Sequence, residues 1–446
     1  MHNFKNVKRR LISVLMAISL LLTLLPVQGF ADGSTVVRDV NQLKAALESP
    51  IITQIRLADN IYLDKQSITI NPNKAYLVID GGGYTVCQYD SNLSSHTINL
   101  SQNKNLRDIT VKNMTIKGKN KNGFINIPDL SCYCYTTLRY VDVIYYGPQI
   151  AQARYSDVEL TNCKIYYYPG YCMSTGNIVE AQNIRLAGNI YIVKQMPCDD
   201  EDLFVVTKKG NLTVAAGAYV FIRNNTDNLK ATKSGFVKFT TTKSNLIFEN
   251  NCTFYYYGSK VFQYGCSLDS VYFGKNCIVN VTIYEDLTCV HGLLTVNNCM
   301  TVDEGATVWL CAVNNTTAYP TVKFETKSTL NVNNPKDLLI YNGSVKKCNY
   351  GLAIGNCCDL YVSYGNIKSL EHWIGNRALP LSLGPPTFSF ANPDGKYNAF
   401  LMYYDSKVKY AATTGYAGLT PLNACTAFLC DVNVIRIKGG SGLPVY

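Results

Sequence analysis

The chain is short of charge. Asp, Glu, Lys and Arg make up 16% of its 446 residues, against 47% hydrophobic. That balance excludes an intrinsically disordered chain, which needs the reverse. Basic runs are scarce as well. Of 41 Lys and Arg, four (Lys5, Lys8, Arg9, Arg10) fall within residues 1–31, which hold no acid. The remainder carries 41 less 4, or 37 bases against 31 acids, and no Lys/Arg run longer than two, so no nucleic-acid surface is expected. Cys132-x-Cys134, Cys289-x-His291 and Cys357-Cys358 lack the second pair at finger-like spacing that a structural zinc needs. His96, His291 and His372 have no evident nucleophile partner, and Gly81-Gly82-Gly83 reads as a turn rather than a phosphate cradle. A membrane-spanning run is missing too: the longest apolar stretch, 11–25, falls short of the ~20 residues required.

That stretch follows the basic segment 5–10 and precedes Val27-Gln-Gly-Phe-Ala31, which ends in a small residue. The order predicts a cleaved secretory signal over 1–31, cut after Ala31, with no membrane span afterwards. The mature chain is expected outside the cell, released or surface-associated without a covalent anchor, since 439–446 has neither an apolar tail nor a sorting-type motif.

What the chain has in plenty is strand. One helix is predicted near 39–47: Asp39 makes an N-cap with Gln42 three residues on, and Val40, Leu43 and Leu47 share a face. Beyond it, alternating runs rich in Val, Ile, Thr, Tyr and Phe recur over 76–80, 106–116, 158–168, 212–222, 246–257, 271–284, 294–302 and 330–340. Overlaid, they give a repeat of apolar-x-apolar, an Asn or Gly turn, then apolar again, as in Ile109-Thr-Val111-Lys-Asn113 and Val158-Glu-Leu160-Thr-Asn162. Successive first apolar residues (Ile109, Leu138, Val158, Ile184, Leu212, Leu246, Val271, Leu294, Leu330, Leu360) are 20 to 36 residues apart. Periods in this range mean stacked units too small to bury an apolar face alone. Asn corners between short strands describe the coils of a parallel β-helix, with loops of variable length on one side. An antiparallel sandwich would space its strands more regularly. Asn113, Asn162, Asn250 and Asn298 should then mark comparable corners. The amphipathic helix serves as an N-terminal cap over the open first coil. The expected organisation is a capped β-helix over 32–370 and a small β-rich C-terminal cap or appended domain over 371–446, where prolines interrupt the pattern.

Ile79-Asp80-Gly81-Gly82-Gly83-Tyr84-Thr85-Val86 resembles the first-coil signature of right-handed parallel β-helices of the pectate-lyase type. The phrases Gly210-Asn-Leu-Thr-Val with Gly217-Ala-Tyr-Val, and Leu294-Thr-Val-Asn with Gly305-Ala-Thr-Val-Trp-Leu, are similar to the pectate-lyase-like adhesive domain of exported bacterial surface proteins. The resemblance extends over roughly 35–370. It implies a right-handed β-helical shaft concerned with adhesion, without settled catalysis.

Seventeen cysteines in an exported chain usually mean disulfides. Cys163, Cys252, Cys277 and Cys299, however, each sit beside an Asn turn. The spacing predicts an internal row of small buried thiols, with bridging between coils as the open alternative. A hairpin bridge between Cys425 and Cys430 fits the spacing.

Catalysis on this architecture needs converging carboxylates, either around Ca²⁺ or as a pair flanking a glycosidic bond. The expected outward row (Thr110, Tyr140, Glu159, Arg185, Thr213, Ile247, Tyr272, Thr295, Asn331, Tyr361) has two charges and no neighbouring acids. If the chain is a polysaccharide lyase or hydrolase acting on an acidic polysaccharide, its site lies in the densest acidic zone, Asp142, Asp157, Glu159 and Glu180, with Arg185. A solvated, salt-bridged face explains the same residues. Asp199, Asp200 and Asp202 are weak Ca²⁺ candidates in a loop without EF-hand spacing. No cofactor is otherwise expected. Tyrosine is the outlier, 33 residues against 16 Phe and 2 Trp. Tyr166-Tyr167-Tyr168 and Tyr255-Tyr256-Tyr257 occupy matching places after an Asn turn. Alternation turns either the middle ring or its two neighbours outward. Outward Tyr166, Tyr168, Tyr255 and Tyr257 would make a rigid amphipathic strip for an extracellular glycan or a cell-surface protein; β-propensity alone also accounts for such residues.

Overall fold

The computed structural model describes residues 34–342, apart from 64–67, 89–97, 101–107, 119–122, 128–135, 169–176, 195–201, 225–234, 259–261, 285–291, 314–320, 326–327 and 334, and beyond 342 the backbone of the strands only. The expected signal over 1–31, Cys132, Cys134, Cys289, His291, Cys357, Cys358, Cys425, Cys430, Asp199 and Asp200 lie outside the described residues.

Helix α1 (Val40–Glu48) begins where the sequence places it. Asp39 is extended, its carboxylate accepts the Gln42 N–H at 2.9 Å, and the Gln42 amide oxygen accepts the Arg38 N–H at 2.8 Å. The reciprocal pair satisfies donors that the first turn leaves orphaned. Leu43, Ala46 and Leu47 face the core. The carbonyls at the other end are taken up from below. Asn71 donates its backbone N–H to Leu47 and its side-chain amide to Glu48, while the buried Lys74 ammonium donates to Ala46 and to Ile52. Burial lowers the Lys74 amine to about 8. The helix thus closes the first coils like a lid, apolar side down.

Below α1 the strands stack in parallel on three faces. The first face runs through Gln54–Leu57, Tyr76–Asp80, the N-terminal half of Asp108–Lys117, and on to Leu212, Leu246, Val271, Leu330 and Leu360. Ile109, Leu138, Val158, Ile184 and Leu212 are successive register partners, all pointing inward. Side-chain alternation therefore builds one continuous core from β-branched and aromatic residues. One expected coil start is displaced. Leu294 pairs with Val322 on the third face, and Met300 occupies the core position between Val271 and Leu330. The strand Leu294–Val302 spans two faces without a break, so its first apolar pair imitates a coil start.

The corners between the first and second faces carry the left-handed residues. Asn113, Asp142 and Asn162 all have φ 53°, and Gly188 has φ 59°. Asn and Asp tolerate this region better than other side chains. In later coils the corner lengthens to a two-residue turn whose left-handed member is Gly217, Asn251, Asn276 or Gly305. Asn113 and Asn162 are thus comparable corners, and Asn250 precedes the left-handed position by one. Asn298 is no corner: it lies exposed within Leu294–Val302, and Gly305 turns that coil. Corner amides also tie coils together, Asn162 accepting the Asn189 N–H at 2.9 Å and Asn250 that of Lys275 at 2.8 Å.

The lengthened corner explains the thiol row. Cys163, Cys252 and Cys277 are fully buried, as expected. The continuous column, however, is Ala218, Cys252, Cys277 and Ala306, each following a two-residue turn. Cys163, after a one-residue corner, stacks instead on Val143 and Ile190. Cys299 was expected inside and is half-exposed, because Ser270 and Thr329, its register partners, are outward residues. The described cysteines are all free thiols.

Toward the C-terminus, Thr387–Ser389 still pairs in parallel with Asp359–Ser363, whereas Val434–Gly439 runs antiparallel to both Asp337–Asn342 and Ile367–Ile374. The reversed strand interrupts the parallel stack on that side.

Candidate functional site

The carboxylates of the acidic zone are drawn apart by the fold. Asp157 and Glu159 stand on the first face with Arg185, and Asp142 is the left-handed corner of its coil. Glu180 faces Gln152 on the third face. Three of the four are engaged nearby: Asp157 accepts the Asn183 amide at 2.6 Å, Glu159 accepts the Thr161 hydroxyl at 3.0 Å and lies 3.8 Å from Arg139, and Glu180 accepts Arg154 at 2.7 Å. Arg185 makes a two-pronged contact with Glu249 two coils away, at 2.7 and 3.0 Å. That pair holds the Glu249 carboxyl below its ordinary value, chiefly through the Arg185 hydrogen bond. Asp202 is buried and accepts the Gly235 N–H at 3.0 Å. Among the described residues no group of three or more His, Cys, Asp or Glu side chains is placed to hold a metal ion.

The outward row of the first face differs from expectation at two positions. Tyr140 points inward, fully buried, and its hydroxyl donates to the Ile150 carbonyl at 2.9 Å, so Arg139 takes the outward place and reaches Asp108 at 2.6 Å. Thr295 is buried on the third face and Thr301 stands outward. Beside this row runs a ladder of amides. Asn183 accepts the Asn211 N–H at 2.8 Å, Asn211 accepts the Asn245 amide at 2.8 Å, and Asn245 accepts both N–H and hydroxyl of Ser270 at 3.1 and 2.6 Å.

The second face is aromatic. In both tyrosine triplets the middle ring goes in and the flanking two go out: Tyr167 and Tyr256 are fully buried, while Tyr166, Tyr168, Tyr255 and Tyr257 are partly exposed. The triplets do not align as expected. Tyr166 stacks through Val193 and Arg223 onto Tyr257, and Tyr255 belongs to the column of Lys164, Tyr191 and Phe221. The offset is two residues, one strand period, so the outward sense survives it. Tyr168 lies past the end of its strand, its N–H bonded to Gly147.

Stacking brings in rings that the triplets did not reveal. Tyr146 stacks on Tyr166 with centroids 4.7 Å apart and planes at 7°, Tyr166 meets Tyr191 edge-on at 6.3 Å, and Tyr191 stacks on Phe221 at 5.5 Å. Phe221 meets Tyr257 at 5.8 Å and Tyr257 stacks on Tyr284 at 6.5 Å. Tyr255 joins at 6.4 Å from Tyr257 and Tyr219 at 6.0 Å from Tyr255. Tyr191, Tyr219 and Tyr284 are 40%, 46% and 50% exposed, and Trp309 lies farther along at 37%, its N–H on Asp337 at 3.1 Å. The signal available in the sequence was a Tyr or Phe directly beside an inward Ile, as at Tyr191-Ile192 and Phe221-Ile222.

Among the described residues, negative charge meets these rings only at the far end, where Asp337 accepts the Trp309 N–H. Lys117, Lys164 and Arg223 stand in register with Tyr146, Tyr191 and Tyr257, and no Asp or Glu occupies the outward strand positions from Thr85 to Trp309. Burial first, then the neighbouring Tyr284 and Tyr255, pushes the Tyr257 hydroxyl upward, so it remains a hydrogen-bond donor at neutral pH.

Residues 34–152 match the family described as a pectate lyase-like adhesive domain, the family that the sequence resembles; the matched part holds Ile79–Val86, while the Gly210 and Leu294 phrases lie beyond it. Two solved structures are similar over most of the chain. One is titled L. reuters 100-23 SRRP (12% identity, TM-score 0.41, covering 83% of this chain and 95% of that one). The other is L. reuteri 53608 SRRP (15% identity, TM-score 0.34, covering 80% and 99%). No curated protein matches. No helix among the described residues is long and apolar enough to cross a membrane.

Proposed function

We propose that the chain is an adhesin-like protein, exported and presented at the cell exterior, that binds a polymeric carbohydrate along its second face. The observation that carries this reading is the unbroken run of partly exposed rings from Tyr146 to Tyr284. Aromatic faces suit sugar rings: the C–H side of a pyranose packs on the ring, and phenol hydroxyls and nearby cations bond its oxygens. A sheet face supplies rigidity, so little side-chain entropy is lost on binding. The match of residues 34–152 to an adhesive domain supports the same direction. Tyr166, Tyr168, Tyr255 and Tyr257 remain the proposed contacts from the sequence; Tyr146, Tyr191, Tyr219, Phe221 and Tyr284 join them.

The test is a panel of immobilised neutral and acidic polysaccharides, probed with the mature chain in Ca²⁺ and in chelator. Tyr255→Ala/Tyr257→Ala and Tyr191→Ala/Phe221→Ala are expected to lose about tenfold in affinity, the loss of two stacked contacts of ~0.5–1.5 kcal/mol each, with circular dichroism unchanged. Ca²⁺ is expected to make no difference. Binding only to a protein receptor, or release of unsaturated sugar products, would replace this reading by a protein-recognition or a lyase one.

A further inference from the structure

Cys252 and Cys277 hold the same corner in consecutive coils. The strands that follow them pair Thr253 with Ile278, and the Ile278 N–H donates to the Cys252 carbonyl at 2.8 Å. Register partners on parallel strands stand ~4.8 Å apart, within the Cα separation of roughly 4.4–6.8 Å that a disulfide spans. Both side chains enter the core with no exposure, and the column has only Ala218 above and Ala306 below. No bulky group in that column comes between the sulfurs. The neighbouring Cys252 thiol, and then burial, push the Cys277 thiol far up. No other described pair of cysteines shares a register position.

We propose that Cys252 and Cys277 form an oxidative cross-linking site, closed into an inter-coil disulfide as the exported chain folds. A buried thiol held protonated neither attacks nor is reached once the core has closed, so the chemistry belongs to the folding chain, where both sulfurs are solvated. The Cys252 thiolate attacks a disulfide oxidant, either a thiol–disulfide oxidoreductase or a small dithio compound, and expels one oxidant sulfur as thiolate. The Cys277 thiolate then attacks Cys252 Sγ in the mixed disulfide and expels the second. Two protein thiols lose two electrons and two protons, and the oxidant's disulfide becomes two thiols. The bond would lie at the corner that leads into the strands of Tyr255 and Tyr257, stapling the coils that carry the middle of the aromatic ladder.

The experiment folds the mature chain in oxidised and reduced glutathione and digests it without reduction for mass mapping. The expected product joins the Cys252 and Cys277 peptides, lighter by two hydrogen atoms than the reduced pair, and resists dithiothreitol until the protein is denatured. Cys252→Ala/Cys277→Ala continues the alanines already present at 218 and 306. It should fold and bind glycan as the parent does, yet lose the reductant-dependent fall in melting temperature. Recovery of both cysteines as alkylatable thiols from oxidatively folded protein overturns the proposal, and so does their capture by other cysteines. Should the double variant not fold, the mass map of the parent decides alone. The linkage is independent of glycan binding, so failure here leaves the adhesin reading standing.

Discussion

On the first face the outward residues of neighbouring coils answer one another. Arg139 holds Asp108, Arg185 grips Glu249, and Asn183, Asn211 and Asn245 pass hydrogen bonds from coil to coil. On the second face, built on the same inward core, the outward strand places from Thr85 to Trp309 hold rings and a few cations without carboxylates. The difference is chemical capacity. The polar groups of the first face are engaged within the molecule, and their net worth is stability. Stacked rings satisfy one another only along the axis, so their outer faces and hydroxyls remain for something else. A solenoid makes this division easily, since each face is a separate set of columns whose neighbours are fixed by register.

The comparison breaks most sharply at adjacent residues of one strand. Tyr256→Ala should cost about 3–5 kcal/mol, because it empties a fully buried aromatic site, while Tyr257→Ala should leave melting almost unchanged and weaken glycan binding. Thermal denaturation and a binding isotherm on both variants check this. If both lose stability alike, the outward rings serve packing rather than recognition.

A smaller effect is expected from the amide ladder. Asn245→Ala removes an acceptor for Ser270 and a donor to Asn211. It should cost roughly 1–2 kcal/mol by denaturant titration, the worth of one or two hydrogen bonds, with affinity for glycan intact. A fall in affinity would mean that the first face takes part in binding.

Smallest is the ion pair. Arg185 and Glu249 are substantially solvent-exposed, so Glu249→Gln should cost under about 1 kcal/mol. Its sign with pH is definite. The Glu249 carboxyl is lowered in the folded state, so its contribution is present above the ordinary carboxylate value and is lost as pH falls through the depressed one. The stability difference between parent and variant should shrink below that range, while neutral-glycan binding stays flat. A binding change that tracks Glu249 would erase the distinction between the faces.

How much of this could be read from the chain is clearest residue by residue. Asp39 and Gln42 announced the cap because an N-cap is a local contact. Ile109, Leu138, Val158, Ile184, Leu212, Leu246, Val271 and Leu330 were legible as one inward column, since each coil repeats the same alternation. Met300 was hidden by Leu294, an equally apolar residue on a strand that crosses from the third face to the first. Cys299 and Asn298 fell with it, because an error in where a coil starts moves every later residue of that coil. The tyrosine triplets and the Tyr145-Tyr146 pair were visible as candidates for outward rings, yet Tyr191 and Phe221 were not, for their proximity depends on loops of unequal length.

Alternation and Asn corners, both local properties of the backbone, were enough to specify a stacked β architecture with a helical lid and to tell inward from outward wherever the start of the coil was placed correctly. Which outward residues meet was decided only when the coils closed. That depends on the number of residues in each loop and on whether a corner has one left-handed residue or a two-residue turn. A change of one residue there shifts the vertical neighbours: it put Cys252 over Cys277 and moved Cys163 away.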